Sequence, residues 1–246
     1  MNVIRVRGGV LFDVDGTLLL GSVAHLVLLA ETLSRHLGRE VPMRIEGERP
    51  LLDGTDVSGW IDVQVVRTVL GAGSPAPVDE AEVAGVMAMF EREYSPAAAE
   101  RISAPRVVDG AAACLEHLDA AGIPLGLVTG NASFVARAKL AALGLDRFFR
   151  FDRDLGFGDW RTDRPAVASA AARALAGDAG GLASLVYVGD TPRDMEAARA
   201  AGVRPIGVLT GSGTAERLMA AGAEAVIRSV ADIFPAEERG HGTRRS

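Results

Sequence analysis

The chain has 246 residues, 48% hydrophobic and 24% charged, with a net charge of −6, enough for one sizeable domain or one domain carrying a smaller insert. The acidic balance argues against nucleic-acid binding, which runs on clustered Lys and Arg, and against an anionic membrane surface as partner. No stretch approaches the ~18 consecutive apolar residues of a membrane helix, and the single cysteine, Cys114, cannot form an internal disulfide.

In chain order, Gly9 to Phe12 is a short apolar run that predicts a buried strand and leads straight into Asp13-Val14-Asp15-Gly16-Thr17. The early acids interrupt what would be the apolar core of a signal peptide, so the expectation is a cytoplasmic protein. Two carboxylates two residues apart at a strand end point to the same side if the strand continues. There they repel, and a divalent cation resolves the repulsion; magnesium prefers one or two carboxylates plus water and phosphate oxygens. Gly16 lets the chain turn away at once. An Asx-type turn or a fragment of an EF-hand loop is the competing reading. The second lacks the third acidic position and the terminal Glu, and it follows a strand instead of a helix.

From Ser22 to Pro105 the pattern changes. Val23–Leu37, Val57–Leu70 and Glu80–Tyr94 have helical spacing, no buried strand stands out, and Gly71 to Pro77 reads as a flexible joint. The expectation is an all-helical insert placed after the first strand.

Beyond it, strands and helices alternate. The predicted strands are Pro124–Val128, Phe148–Phe151, Leu185–Val188, Pro205–Val208 and Ala225–Ile227. The predicted helices are Ala111–Ala121, Phe134–Leu143, Pro165–Ala176, Asp194–Ala201 and Ala215–Ala221, with Gly122, Gly144, Gly202 and Gly222 as stops. Cys114 falls on the apolar face of the first and is expected to be buried. The residues from Arg239 to Ser246 read as a frayed tail. The alternation predicts an α/β fold, a parallel sheet with right-handed crossovers.

Two further segments follow strands, where ligands of an open parallel sheet bind. Thr129-Gly130-Asn131 offers a hydroxyl and backbone N–H groups for a phosphate, although the same tripeptide is a common turn. Gly189-Asp190-Thr191-Pro192-Arg193-Asp194 repeats the glycine-and-acid pattern. Asp190 as a helix cap with Pro192 in the first turn explains it equally well in isolation. Four acids converging on one crevice favour a metal-assisted site over four coincidental caps.

Together Asp13-Val14-Asp15-Gly16-Thr17, Thr129 and Gly189-Asp190 with Asp194 resemble the motifs of the haloacid dehalogenase-like hydrolase superfamily, in order and across the whole core. The insert resembles that superfamily's small helical cap, and Gly54-Thr55-Asp56 resembles a turn of phosphoglycolate phosphatase-like caps. The resemblance implies a Rossmann-like core over residues 1–20 and 106–246 and a helical cap over 21–105, hinged near Leu20–Ser22 and Ser103–Arg106. It implies Asp13 as nucleophile forming an aspartyl-phosphate, and Asp15 as the acid that protonates the leaving oxygen and then activates water. Thr129 would hold a phosphoryl oxygen, with Gly16, Thr17, Gly130 and Asn131 around the phosphate. Mg2+ would sit on Asp13, Asp190 and the main-chain carbonyl of Asp15, supported by Asp194.

The superfamily's basic partner, usually Lys before Pro, is where this chain departs. Asp163-Arg164-Pro165 offers Arg164, which can grip phosphate bidentately. The rival is Lys139, the only lysine among 26 basic residues, about 12 Å along the helix after Asn131 at 1.5 Å per residue; Arg164 is favoured. The histidines His25, His36, His117 and His241 show no ligand spacing and read as surface or cap residues, with substrate contact open to His25 alone. Trp60 reads as cap packing.

The expected activity is hydrolysis of a small phosphorylated metabolite. A phosphomutase of the β-phosphoglucomutase type and a phosphate- or metal-binding module without turnover are the alternatives. Asp15 argues against a dehalogenase, which has no leaving oxygen to protonate, and the absence of lysine from residues 21–104 argues against a Schiff-base phosphonate hydrolase. The composition leaves the oligomeric state open.

Overall fold

The computed structural model describes residues 3–21, 23–47, 49–73, 76–102, 104–151, 156–159 and 163–236. The chain opens with β1 (Ile4–Val6), β2 (Val10–Phe12) and, past the Asp13–Thr17 turn, β3 (Leu19–Leu20). Then come α1 (Ala24–Leu37), the antiparallel strands β4 (Met43–Glu46), β5 (Arg49–Leu52) and β6 (Thr55–Asp56), and helices α2 (Asp62–Gly71), α3 (Glu80–Glu93) and α4 (Pro96–Ile102). β7 (Arg106–Val107) returns antiparallel to β3, so the chain entering residues 21–105 and the chain leaving them lie side by side. Strands and helices then follow one another, with α6 and α7 and the last two strands consecutive: α5 (Ala111–Ala120), β8 (Leu125–Leu127), α6 (Ser133–Ala142), α7 (Arg164–Ala176), β9 (Val186–Gly189), α8 (Pro192–Ala200), β10 (Arg204–Val208), α9 (Ala215–Ala220), β11 (Ala225–Ile227) and β12 (Ile233–Pro235).

The central sheet is wholly parallel, in the order β11-β10-β9-β2-β8. Successive residues of a strand face opposite ways, and the two cores follow that rule. Val10, Phe12, Val186 and Val188 point to one face with Leu115 and Leu118 of α5. Leu11 and Tyr187 point to the other with Val167, Ala171 and Leu175 of α7 and Ala197 of α8. The same apolar cluster continues without a break into the insert through Ile61, Val65, Val86 and Phe90. Phe90, Tyr94 and Phe134 meet edge to face, with centroids 5.3–5.8 Å apart, and join α3 to α6.

The α/β alternation is as expected, and three details differ. Residues 43–56, expected to carry no strand, form the β4-β5-β6 meander. Its last turn is Asp53-Gly54, both with positive φ (49° and 80°), the backbone that suits a two-residue hairpin. The insert is therefore not all-helical. Phe148–Phe151 is not a strand: Asp146–Phe148 forms a 3-10 turn, and the parallel contact beside Val128 is made instead by Gly156 as an isolated bridge. β1 and β12, not anticipated, pair parallel with Ile4 opposite Ile233. Cys114 is buried, and burial pushes its thiol up to about 12. The predicted tail, His241, Ser22, Ser103 and the Ser74-Pro75 part of the joint lie outside the described residues.

Candidate active site

The ends of β2, β8, β9 and β10 open into one cleft of about 320 Å³, whose other wall is the insert's loop around Ser58, Gly59 and Trp60. Asp13 follows β2 directly and is 4% exposed. Arg164, at the start of α7, places Nη2 2.5 Å from Asp13 Oδ1 and 2.6 Å from Asp194 Oδ1. Asp163 caps this helix by accepting from Ala166 N, and Pro165 fits its first turn, so the local sequence fixes where Arg164 leaves the helix. The guanidinium is fixed further by Tyr187 Oη, which accepts from Nε at 3.3 Å and Nη2 at 3.2 Å, and by the carbonyl of Gly59, which accepts from Nη1 at 3.1 Å. Tyr187 in turn donates to Asp194 Oδ1 at 2.5 Å.

α8 begins with a capping box: Asp194 N donates to Thr191 Oγ1, and Asp194 Oδ2 accepts from Thr191 N at 2.9 Å. The cap is thus Thr191, and Asp190 is left for the cleft. Asp190 Oδ2 accepts from Ser212 N at 2.8 Å, while Oδ1 is buried with no hydrogen-bond partner among the described residues. The close approach needs glycine twice. A Cβ on Gly16 (φ 86°) would fall 2.6 Å from Asp190 Cγ, and one on Gly211 would fall 2.1 Å from Asp190 Oδ2.

Asp13, Asp190 and Asp194 each bring a carboxylate oxygen within 4.8 Å of the others. Burial, then the neighbouring Asp194 charge, pushes Asp190 up to about 7. Burial likewise raises Asp13 well above the usual carboxylate range; Arg164 opposes this, and Asp194, Asp190 and Asp15 add to it. Crowded, dehydrated carboxylates with one oxygen unsatisfied fit a hard divalent cation. Asp13 and Asp190 are the best-placed ligands. Asp194 already serves Thr191, Tyr187 and Arg164, and the side chain of Asp15 lies outside the cluster.

Asp15 turns instead to Lys139, whose Nζ lies 3.0 Å from Oδ1 and 2.8 Å from Oδ2, and to Asn131 Nδ2 at 2.7 Å. Lys139 reaches because its stem runs back along α6 toward the helix N-terminus. Thr129 Oγ1 accepts from both Asn131 N (3.2 Å) and Asn131 Nδ2 (2.8 Å), so its remaining capacity is its own proton. Gly130 lines the cleft; a Cβ there would fall 2.0 Å from the carbonyl of Trp60. Thr17 is fully buried beneath the turn and does not line the cleft. His25, expected as a surface or cap residue with substrate contact open to it, is 7% exposed, lines the cleft and sits 3.1 Å from Lys139 Nζ. His36 is on the outside with Glu82, and His117 is exposed. Trp60 packs under Arg193, whose guanidinium lies 5.5 Å from the ring centre.

Tyr187, Asp62 and Ser212 also contact the site, and none of the motifs in the sequence marks them. A tyrosine inside the apolar Val186–Val188 run was a signal, since a buried hydroxyl needs partners. So was Thr210-Gly211-Ser212-Gly213, which follows a parallel strand as the other site segments do.

A haloacid dehalogenase-like hydrolase family model matches residues 8–202. Phosphoglycolate phosphatase from Escherichia coli (strain K12) is 29% identical over 96% of this chain and 94% of its own length. Among solved structures, a hydrolase from Pseudomonas syringae superposes with a TM-score of 0.63 at 20% identity, covering 92% of this chain and 95% of that one. A putative β-phosphoglucomutase from Bacteroides vulgatus also gives 0.63, at 18% identity over 94% and 87%. At such identities the structural likeness speaks to the fold alone.

Proposed function

We propose that this chain, which belongs to the haloacid dehalogenase-like hydrolase family, is a magnesium-dependent phosphatase that hydrolyses a small phosphorylated metabolite through an aspartyl-phosphate on Asp13. The carrying observation is one buried carboxylate, Asp13, that shares the Arg164 guanidinium (2.5 Å) with Asp194 and lies in one cluster with Asp190 and Asp194. A nucleophile there has a fixed cation against it and, in Asp190, a second carboxylate with which to hold a metal.

In the first step an Asp13 oxygen attacks phosphorus and the ester P–O bond breaks; Asp15 gives its proton to the departing alkoxide. In the second, Asp15 takes a proton from water, whose oxygen attacks phosphorus, and the acyl–phosphate P–O bond breaks to return Asp13 and release inorganic phosphate. Arg164 balances the phosphoryl charge throughout, and the Thr129 hydroxyl donates to a phosphoryl oxygen. Asp13 and Asp190 would hold Mg2+, with the carbonyl of Asp15 and with support from Asp194; when bound, the ion supplies charge neutralisation at the phosphoryl oxygens. The segment 21–105 acts as a cap over residues 1–20 and 106–246, and its loop at Ser58–Trp60 closes the cleft against bulk water. Phosphoglycolate heads the candidates because relatives matching nearly the full chain carry the name phosphoglycolate phosphatase.

The experiment is turnover of p-nitrophenyl phosphate with and without magnesium, followed by a panel of phosphoglycolate, sugar phosphates and nucleotides. Metal-dependent hydrolysis that vanishes in Asp13→Asn supports the reading. Activity retained in Asp13→Asn sinks it, and a requirement for a bisphosphate activator would favour a mutase.

A further inference from the structure

Lys139 is the sole lysine of the chain and is 6% exposed beside the cleft. An ammonium group has three N–H donors and no acceptor. Here the three directions are filled: Asp15, shared between its two oxygens; Asn131 Oδ1 at 3.0 Å; and His25 Nδ1 at 3.1 Å. Because Lys139 can only donate, His25 must accept through Nδ1 and carry its proton on Nε2, which faces Asp62 Oδ1 at 3.7 Å. Asp62 is anchored from the other side by Ala132 N at 2.8 Å. A chain of contacts, Asp62–His25–Lys139–Asp15, buried as far as Lys139 and partly exposed at Asp15, thus runs from the insert into the core.

We infer that Lys139 is a positioning residue for Asp15, with His25 as the acceptor that aims it, and that it is not a ligand of the phosphoryl group. No donor of Lys139 is left for a phosphoryl oxygen, whereas Arg164 lies on the nucleophile. The two cations are divided: Arg164 serves Asp13, and Lys139 fixes the rotamer of Asp15 so that one face of its carboxyl meets the leaving oxygen and then the water. This rests on the acid/base role given to Asp15 above.

The test compares wild type, Lys139→Met and Arg164→Met in magnesium-containing buffer by two readouts: the inhibition constant of inorganic phosphate, and rapid-quench release of p-nitrophenol from p-nitrophenyl phosphate. A p-nitrophenolate leaves without a proton, so phosphoenzyme formation does not need Asp15, but its hydrolysis does. Lys139→Met is expected to keep the phosphate inhibition constant and release a burst of one p-nitrophenol per enzyme, with steady turnover down by about 100-fold, the scale of a lost acid/base group. Arg164→Met is expected to lose both phosphate inhibition and burst. A Lys139→Met enzyme that behaves like Arg164→Met overturns the inference.

Should Lys139→Met fail to fold, His25→Leu, which removes the acceptor, is compared with His25→Asn, which retains one. Slow turnover with normal phosphate inhibition in the first and recovery in the second supports the inference; full activity in His25→Leu contradicts it. Turnover by Asp13→Asn would instead remove the phosphoenzyme reading, and the phosphate inhibition constants would still decide between the two roles of Lys139.

Discussion

Arg164 Nη2 and Asp13 Oδ1 lie 2.5 Å apart with both side chains 6% exposed. A buried pair of this kind is weak evidence of net stability, but removing one partner strands the other. Arg164→Met leaves Asp13 and Asp194 facing each other without a cation. Turnover should be nearly abolished, and chemical denaturation in the absence of metal should show a loss of about 3–5 kcal/mol.

Tyr187 works one layer further out. Its hydroxyl accepts from Arg164 and donates to Asp194, so Tyr187→Phe removes the bridge while keeping the ring in the core. Stability should fall by about 1–3 kcal/mol, the cost of leaving buried partners unmet. Turnover should fall less than in Arg164→Met, since the guanidinium keeps its contacts to Asp13 and Gly59. Denaturation curves and steady-state kinetics on the same preparation check both.

Asp190 Oδ1 is buried without a hydrogen-bond partner among the described residues, and three carboxylates share the site. Adding magnesium to metal-free protein should therefore raise the melting temperature, as ligand binding to the native state does. Asp190→Asn should melt no lower than metal-free wild type, because a buried like charge is gone, yet gain little from magnesium. A thermal-shift titration of the two proteins measures this.

Asp62 gives a pH dependence. Burial, the largest cause, pushes it up to about 7 against the opposing pull of Ala132 N–H and Lys139. A carboxyl raised in the folded state binds a proton more tightly there than in the unfolded chain. Its contribution is therefore most favourable below about pH 4 and is lost as pH rises toward 7. Relative to Asp62→Asn, wild type should lose up to about 4 kcal/mol across that window, at roughly 1.4 kcal/mol per unit. Paired urea denaturations from pH 4 to 8 report the difference.

The parts of the site legible in the sequence were those written at strand ends. Asp13, Asp15, Thr129 and Asp190 each follow a short apolar run, and a parallel sheet brings such ends together. Arg164 was legible because Asp163 and Pro165 mark a helix start beside it. The contact of Lys139 with Asp15 was not. Its distance along α6 argued against reaching the site, and the residue that draws it in, His25, comes from a different part of the chain. The β4-β5-β6 meander was hidden by the surrounding helical periodicity, although Asp53-Gly54 between apolar and polar neighbours is a hairpin signal. In Phe148–Phe151 the aromatic content suggested a strand, while Asp146 and Gly144 nearby favoured a tight turn. β1 and β12 are three residues each, and a pairing between opposite ends of a chain leaves no local trace.

Everything in the proposed reaction turns on Asp13 carrying the phosphoryl group. Wild-type protein acid-quenched during turnover of p-nitrophenyl phosphate should gain the mass of one phosphoryl group, and peptide mapping should place it on Asp13. The adduct should be absent from Asp13→Asn. A phosphoryl group found on any other residue, or undiminished turnover by Asp13→Asn, would contradict the account.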